Sequence, residues 1–350
     1  MKKKKKRNSR KSLKRVTSKG IASRVGVSVM TVSRALNNRP YVGERTRRRI
    51  LKVAKEFGYS PNHIARSLVM QRTETLGVVV PEISHSFFPE VIKGIEQAAY
   101  SAGYHLILTH SAEDEAREKD VISTLESKRV DGLLISTAQT VTSHKTYLDA
   151  IRMGTPIVFY DRVVTDIGAS CVGINDEECC YMVTDHLAEH GYKAIAHLCG
   201  PASVSIGRDR LKGYRKSLSR RGLKLRPDLV IRSGFSEEGG YAATQTLLRL
   251  PQISRPDAIV AVNDLAAFGA MRAIAEHKLR IPEDIAIVGM GDVAMAAVVS
   301  TPLTTIQQPA FEIGKTAAET LISEVEGRTK PGKRIIIGAR LAIRKSCGCS

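Results

Sequence analysis

The residues best placed to read a chemical pattern lie between 28 and 37. Ser28 precedes Val29-Met30-Thr31-Val32-Ser33-Arg34-Ala35-Leu36-Asn37, where Val32 and Leu36, four apart, share one helical face. Val29, Met30, Ser33 and Arg34 then point the other way. Arg34 can donate two hydrogen bonds to guanine O6 and N7, Val29 and Met30 suit thymine methyls, and Thr31 and Ser33 suit phosphate. Three other spacings suggest metal or phosphate chemistry. His186-Leu187-Ala188-Glu189-His190 has the order of an inverted zinc-protease motif, but no third protein ligand is identifiable. Cys347-Gly348-Cys349 offers two thiols, an incomplete site, and reads as a terminal tail. Gly327-Arg328-Thr329-Lys330-Pro331-Gly332-Lys333 has phosphate-loop spacing, yet Arg334 stands where a hydroxyl must hold magnesium, and a helical pattern precedes it. With no G-x-S-x-G or G-x-G-x-x-G, no catalytic residue, metal or cofactor is expected.

Charge divides the chain that must position these residues. Of 350 residues, 54 are Lys or Arg and 35 are Asp or Glu. Residues 1–75 hold 22 of the basic groups against Glu44, Glu56 and Glu74 alone, leaving 32 of each sign in 76–350. A small, very basic part is joined to a large, balanced one. Such a surplus favours a polyanion, because contacts to phosphates release condensed counterions. Residues 1–15 read as a basic disordered tail: nonspecific attraction to DNA, a merely solvated tail and a nuclear import signal all fit it. No apolar run approaches the ~18 residues of a membrane span. Lys2 to Arg7 is followed by no apolar stretch, and six cysteines without framework spacing suit a reducing cytosol. The expectation is a cytoplasmic, nucleoid-associated protein with no membrane partner.

Residues 16–60 carry helix signals. Thr17 or Ser18 can cap a short helix with Ile21, Ala22 and Val25 on one face, stopped by Gly26. Ser28 caps a second after only three residues, which makes a helix-turn-helix. A third runs from about Glu44 to Phe57, with Ile50, Val53, Ala54 and Phe57 inward and Gly58 as its stop. Its Arg47, Arg48 and Arg49 point in three directions. Pro61 opens a short helix within 61–74 that is marginal alone in water.

The run from Gly26 to Asn37, then Gly58-Tyr59-Ser60-Pro61-Asn62 and Ile64-Ala65-Arg66-Ser67-Leu68, resembles the LacI/GalR family of bacterial transcription regulators. The resemblance implies DNA contacts from Thr17, Ser28, Asn37, Tyr59, Asn62, Ala65 and Leu68 besides the outward face of the second helix. It makes 61–74 a hinge helix that orders on operator DNA beside its dimer mate. There Leu68 would wedge into the minor groove at a central CG step, as an apolar side chain can at a flexible step. Gly20 departs from the family, standing where an acidic residue is usual and costing about 1 kcal/mol of helix propensity.

Beyond Glu74, short β-branched runs alternate with helical patterns: strands at Leu76–Val80, His105–Thr109, Leu133–Ile135, Pro156–Tyr160, Ala194–Cys199, Ala258–Val262 and Ile285–Val288. Two doubly wound parallel-sheet lobes follow, with a ligand crevice at the strand C-terminal ends. The resemblance continues through Tyr160-Asp161-Arg162, Asn263-Asp264-Leu265-Ala266 and Pro302-Leu303-Thr304-Thr305-Ile306, and implies a core similar to periplasmic sugar-binding proteins. Its crossovers are expected near Asp161, Gln308 and Lys333, giving one lobe of about 75–160 and 310–332 and another of about 161–309 and 333–350. Carried over by position, the effector site is Phe87, Ser136, Asp161, Arg210 and Asn263, a set suited to sugar hydroxyls. An interlobe ion pair of Asp161 with Arg210 is the alternative. Gly291 stands where the family often has an acidic effector ligand; neighbouring Asp292 substitutes only if the turn differs. With no Trp, no indole can stack on a sugar.

The resulting expectation is a homodimeric repressor of a near-palindromic operator, controlled by a carbohydrate-like effector. A protein co-regulator in place of the small molecule, or a sugar receptor without regulatory role, are the alternatives.

Overall fold

A computed structural model describes residues 17–36, 39–59, 72–83 and 87–349. It separates into two compact units, divided between Gln71 and Arg72.

The first unit holds α1 (Ser18–Val25), α2 (Val29–Leu36) and α3 (Glu44–Glu56). Thr17 Oγ1 caps α1 by accepting from Gly20 N at 3.3 Å, and Ser28 Oγ accepts from Thr31 N at 3.0 Å to cap α2. Ile21, Ala22, Val25, Val32, Ala35, Ile50 and Ala54 form a single small core. Phe57 differs from expectation. It lies 43% exposed just past α3, because Gly58 takes a left-handed turn (φ +57°) and swings the chain back. Gly58 N then bonds Lys55 O and Tyr59 N bonds Ala54 O, so Tyr59, not Phe57, closes this end of the core.

The second unit contains two sheets, six-stranded among the described residues. In chain order its elements begin β1 (Thr75–Val80), α4 (Phe87–Ser101), β2 (His105–His110), α5 (Glu115–Ser127), β3 (Gly132–Ile135), α6 (Lys145–Arg152), β4 (Ile157–Tyr160) and β5 (Ser170–Gly173). There follow α7 (Asp176–Glu189), β6 (Ile195–Cys199), α8 (Ser205–Arg220), β7 (Val230–Arg232), α9 (Glu237–Leu248), β8 (Ala258–Ala261), α10 (Asp264–Glu276) and β9 (Ala286–Gly291). The chain closes with β10 (Thr304–Gln307), α11 (Ala310–Val325), β11 (Arg334–Ile336) and β12 (Arg340–Ala342). The sheet orders are β11-β5-β4-β3-β1-β2 and β12-β10-β9-β8-β6-β7. Every pairing is parallel except β10 with β12. Alternate residues enter different cores: Leu76, Val78 and Val80 of β1 face one cluster, and Val79 the other. Both faces are therefore covered, which is why these strands read as continuous apolar runs.

Two lobe boundaries move. β5 and β11 pair with the first sheet, so the chain crosses after Gly173 and again after Ile336, not near Asp161 and Lys333. A further crossing passes through Gln308, between β10 of the second sheet and α11 against the first. Helices α4 and α11 meet backbone to backbone. A Cβ on Gly94 would fall 2.0 Å from Phe311 O, and one on Gly314 would fall 1.9 Å from Val91 O.

Candidate functional site

In the first unit, α2 is pinned from below by Val32 and Ala35, which leaves Val29 (46% exposed) and Met30 (63%) bare beside exposed Ser33 and Arg34. Bare apolar side chains at the start of a basic helix suit thymine methyls better than water. The three arginines of α3 diverge as expected: Arg48 pairs with Glu44 at 3.5 Å, Arg47 reaches Arg39 O at 2.7 Å, and Arg49 reaches Val25 O at 3.3 Å. Tyr59 is half-buried, its hydroxyl 2.7 Å from Ser18 Oγ, so it braces α1. Asn37, Asn62, Ala65 and Leu68 lie outside the described residues.

In the second unit, a cavity of ≈ 320 Å³ opens between the lobes, at the C-terminal ends of the strands. Phe87, Asp161, Arg210 and Asn263 all line it, brought together from the start of α4, the end of β4, α8 and the N-cap of α10. Asp161 sits in a left-handed turn (φ +57°); burial pushes its carboxyl up to about 6, against the opposing pull of Arg162 and Arg210. Arg210, 2% exposed, gives Nε and Nη2 to Asp176 Oδ1 at 2.8 and 2.7 Å and Nη1 to Val262 O. Its partner is thus Asp176, and the interlobe pairing with Asp161 does not form. Asn263 accepts from Ala266 N through Oδ1 and donates to Phe235 O through Nδ2, both at 2.9 Å, leaving one amide hydrogen and spare lone-pair capacity.

Two expected ligands lie elsewhere. Ser136 follows β3 with its N–H on Val79 O; it is fully buried, its hydroxyl has no hydrogen-bond partner among the described residues, and it is not among the residues that line the cavity. Asp292, in a left-handed turn at φ +54°, is held by Arg344 Nη2 at 2.6 Å and Gln307 Nε2 at 2.8 Å; it lines not this cavity but an adjoining one, which shares Phe87, Gly291, Val293 and Gln308 with it. The carboxylate nearest the Gly291 position is that of Asp264. A Cβ on Gly291 would stand 3.1 Å from Asp264 Oδ2, and one on Gly289 only 2.3 Å from Oδ1. Asp264 is buried, which raises it to about 6, and it accepts from Thr305 Oγ1 at 2.5 Å and Val293 N at 2.9 Å.

Sequence reasoning missed Arg162, although Tyr160-Asp161-Arg162 had been singled out. Its guanidinium stacks 4.4 Å above the Phe235 ring and donates to Glu113 at 2.7 Å. Arg162 Nε and Gln308 Oε1 are buried without a protein partner among the described residues, and both residues line the cavity. Unpaired buried polar atoms are costly, so these mark where a ligand would bond.

A helix-turn-helix with a bare reading face, on a chain with a two-lobed binding core, defines a DNA-binding transcriptional regulator with a ligand cleft. The chain belongs to the LacI family: residues 17–62 match bacterial regulatory proteins of the lacI family, and residues 73–345 match the periplasmic binding proteins and sugar binding domain of LacI family. It is 34% identical to the ribose operon repressor of Haemophilus influenzae over 94% of this chain and 98% of that one. Against the HTH-type transcriptional repressor CytR of Escherichia coli (strain K12) it is 32% identical over 94% and 96%. A solved structure of the Lac repressor dimer bound to operator and the anti-inducer ONPF superposes with a TM-score of 0.84 at 27% identity, covering 95% of this chain and 99% of that one. A CelR–cellobiose complex gives 0.72 at 29% identity, covering 95% and 100%.

Proposed function

We propose that this chain represses transcription from a near-palindromic operator as a homodimer, and that a small polyhydroxylated effector in the interlobe cleft sets its operator affinity. The cavity carries the effector half of this reading. At ≈ 320 Å³ it lies at the low end of small-molecule pockets, the size of a single sugar ring or a nucleoside. Phe87 and Phe235 supply apolar walls, Asp161 and Gln308 accept hydroxyls, and Arg162 and Arg210 fork onto vicinal oxygens. Closure of the lobes on the effector changes the spacing of the paired hinge segments, so each ligand changes the affinity for the other by the same factor. No reaction is assigned to the cleft, and the protein works in the cytoplasm, where its operator is.

The test is selection of bound sites from a random duplex library by the purified protein at near-physiological salt. An inverted repeat with a central CG step is the expected result. Enrichment without sequence, lost on adding salt, would reduce the basic segment to an electrostatic anchor. Calorimetric titration of pentoses, hexoses and nucleosides then identifies the effector, and silence across all of them would favour a protein co-regulator.

A further inference from the structure

Two half-sites that are far apart in sequence meet in the fold. His186 lies in the last turn of α7; Cys347 and Cys349 flank Gly348 at the C-terminal end. His186 Nε2 and the two Sγ atoms all lie within 4.8 Å of one another, with Cys349 Sγ 3.2 Å from Nε2. We propose that His186, Cys347 and Cys349 form a binding site for a zinc-class divalent cation.

The donor set selects the ion. Two thiolates and an imidazole suit a borderline-soft metal, while oxygen-seeking magnesium and calcium would refuse it. A tetrahedral zinc, at about 2.3 Å from sulfur and about 2.0 Å from nitrogen, needs donors spaced roughly 3.5–3.8 Å apart, which this cluster reaches with small side-chain rotations. His190 takes no part. It is exposed, and its Nδ1 is 2.7 Å from His186 O. The H-x-x-E-H pair therefore contributes one ligand, and the C-x-C tail supplies the others. Three protein ligands leave a fourth position for water or an anion.

The supporting structure is built rather than incidental. Gly348 adopts φ +78°, and a Cβ there would fall 2.9 Å from Tyr192 Oη, so only glycine makes the turn that brings both sulfurs to one side. Tyr192 Oη donates to Cys347 O at 3.1 Å, and Thr304 Oγ1 donates to Cys347 Sγ at 3.1 Å. Ser346 Oγ accepts from Thr304 N at 2.8 Å and donates to Ile287 O at 2.6 Å, fixing the residue before the first thiol. Thr304 opens β10, so the site is at the N-terminal edge of the second sheet, opposite the effector cleft. Its link to that cleft is α7, which begins at Asp176, the partner of Arg210, and ends near His186. A bound ion thus clamps the far end of the helix whose first residue holds Arg210, a lining residue of the effector cavity.

The experiment titrates cobalt(II) into full-length protein, reduced with a non-thiol phosphine and stripped of metal by chelator and gel filtration. The expected result is a thiolate-to-cobalt charge-transfer band saturating at one equivalent per chain and discharged by zinc. Zinc itself should raise the melting temperature. Cys349→Ser and His186→Gln should each lower affinity by at least about tenfold, Cys349→Ser also weakening the charge-transfer band. Cys349 is only part-buried, so its variant carries the test even if the His186 variant misfolds. Absence of the band would overturn the site, and so would a band that both variants keep at full strength, since the other four cysteines would then hold the metal. A Cys347–Cys349 disulfide that resists reduction and leaves no metal uptake would overturn it as well, making the pair a redox element.

Discussion

Arg210 Nε and Nη2 converge on a single oxygen of Asp176, at 2.8 and 2.7 Å, in a pair that joins the first residue of α7 to α8 on the cleft wall. The guanidinium is thus held in place before any effector arrives, with Val262 O fixing its other end. Preorganisation of this kind lowers the ordering cost of binding.

Removing one partner strands a buried charge. Asp176→Ala should lower unfolding free energy by roughly 3–5 kcal/mol, read as a shift in urea midpoint. Replacing both, Asp176→Leu with Arg210→Met, should recover most of that loss while leaving effector binding abolished. Recovery of binding in the double variant would mean that Arg210 holds the fold and touches no ligand.

The bare face of α2 makes a separable prediction. Arg34→Ala should cost about 1–3 kcal/mol of affinity for the selected operator and relax the base preference at one position per half-site. Binding to random duplex should change little. A uniform loss across all sequences would place Arg34 on phosphate. Leu68→Ala should behave similarly at the central step: if specific and random binding fall equally, the wedge assignment fails.

How much of this was legible in the sequence depends on where the information resides. The caps of α1 and α2 and the inward pair Val32 and Leu36 could be read because capping and helical period are local. β5 was not, because Ser-Cys-Val-Gly is too short and too small-sided to declare a strand; only its neighbours β4 and β11 define it. That omission displaced the first lobe boundary. Of the four effector positions that line the cleft, Phe87, Asp161 and Asn263 stand at strand or helix ends, and Arg210 reaches it from the second turn of α8. Ser136 does not line it and Asp292 lines only the adjoining cavity, since the direction of a side chain at a turn depends on backbone dihedrals that residue type leaves open. The meeting of His186 with Cys347 and Cys349 was equally hidden, because the two segments are 161 residues apart and join only through the packing of α7 beside the C-terminal turn.

The contact between α4 and α11 holds the first lobe together through glycine. Gly314→Ala would place a methyl 1.9 Å from Val91 O, so the helices must part. Overpacking of this kind costs typically about 1–3 kcal/mol, and here the obstacle is backbone that cannot rotate away. Melting should show a lower midpoint for Gly314→Ala. Gly327→Ala removes a left-handed turn residue with open space around it, and separates the effect of crowding from that of backbone strain.

Effector binding should depend on pH through Asp161. Burial raises its carboxyl to about 6 in the free protein, so at pH 5 it is mostly protonated and at pH 7 mostly charged. A ligand hydroxyl that donates to the carboxylate favours the charged form and lowers that value on binding. Protons are then released as the effector binds, and affinity is full above pH 6 and declines below it. The decline should approach tenfold per pH unit, since one pH unit corresponds to about 1.4 kcal/mol. Calorimetry between pH 5 and 7.5, in buffers of differing ionisation enthalpy, measures both the affinity and the proton release. Asp161→Asn should bind more weakly at pH 7 and give a flat profile over the same range. A wild-type profile that is already flat would remove Asp161 from the ligand set; a slope that survives in Asp161→Asn would do the same and assign the titration to another buried acid such as Asp264, which burial also raises to about 6.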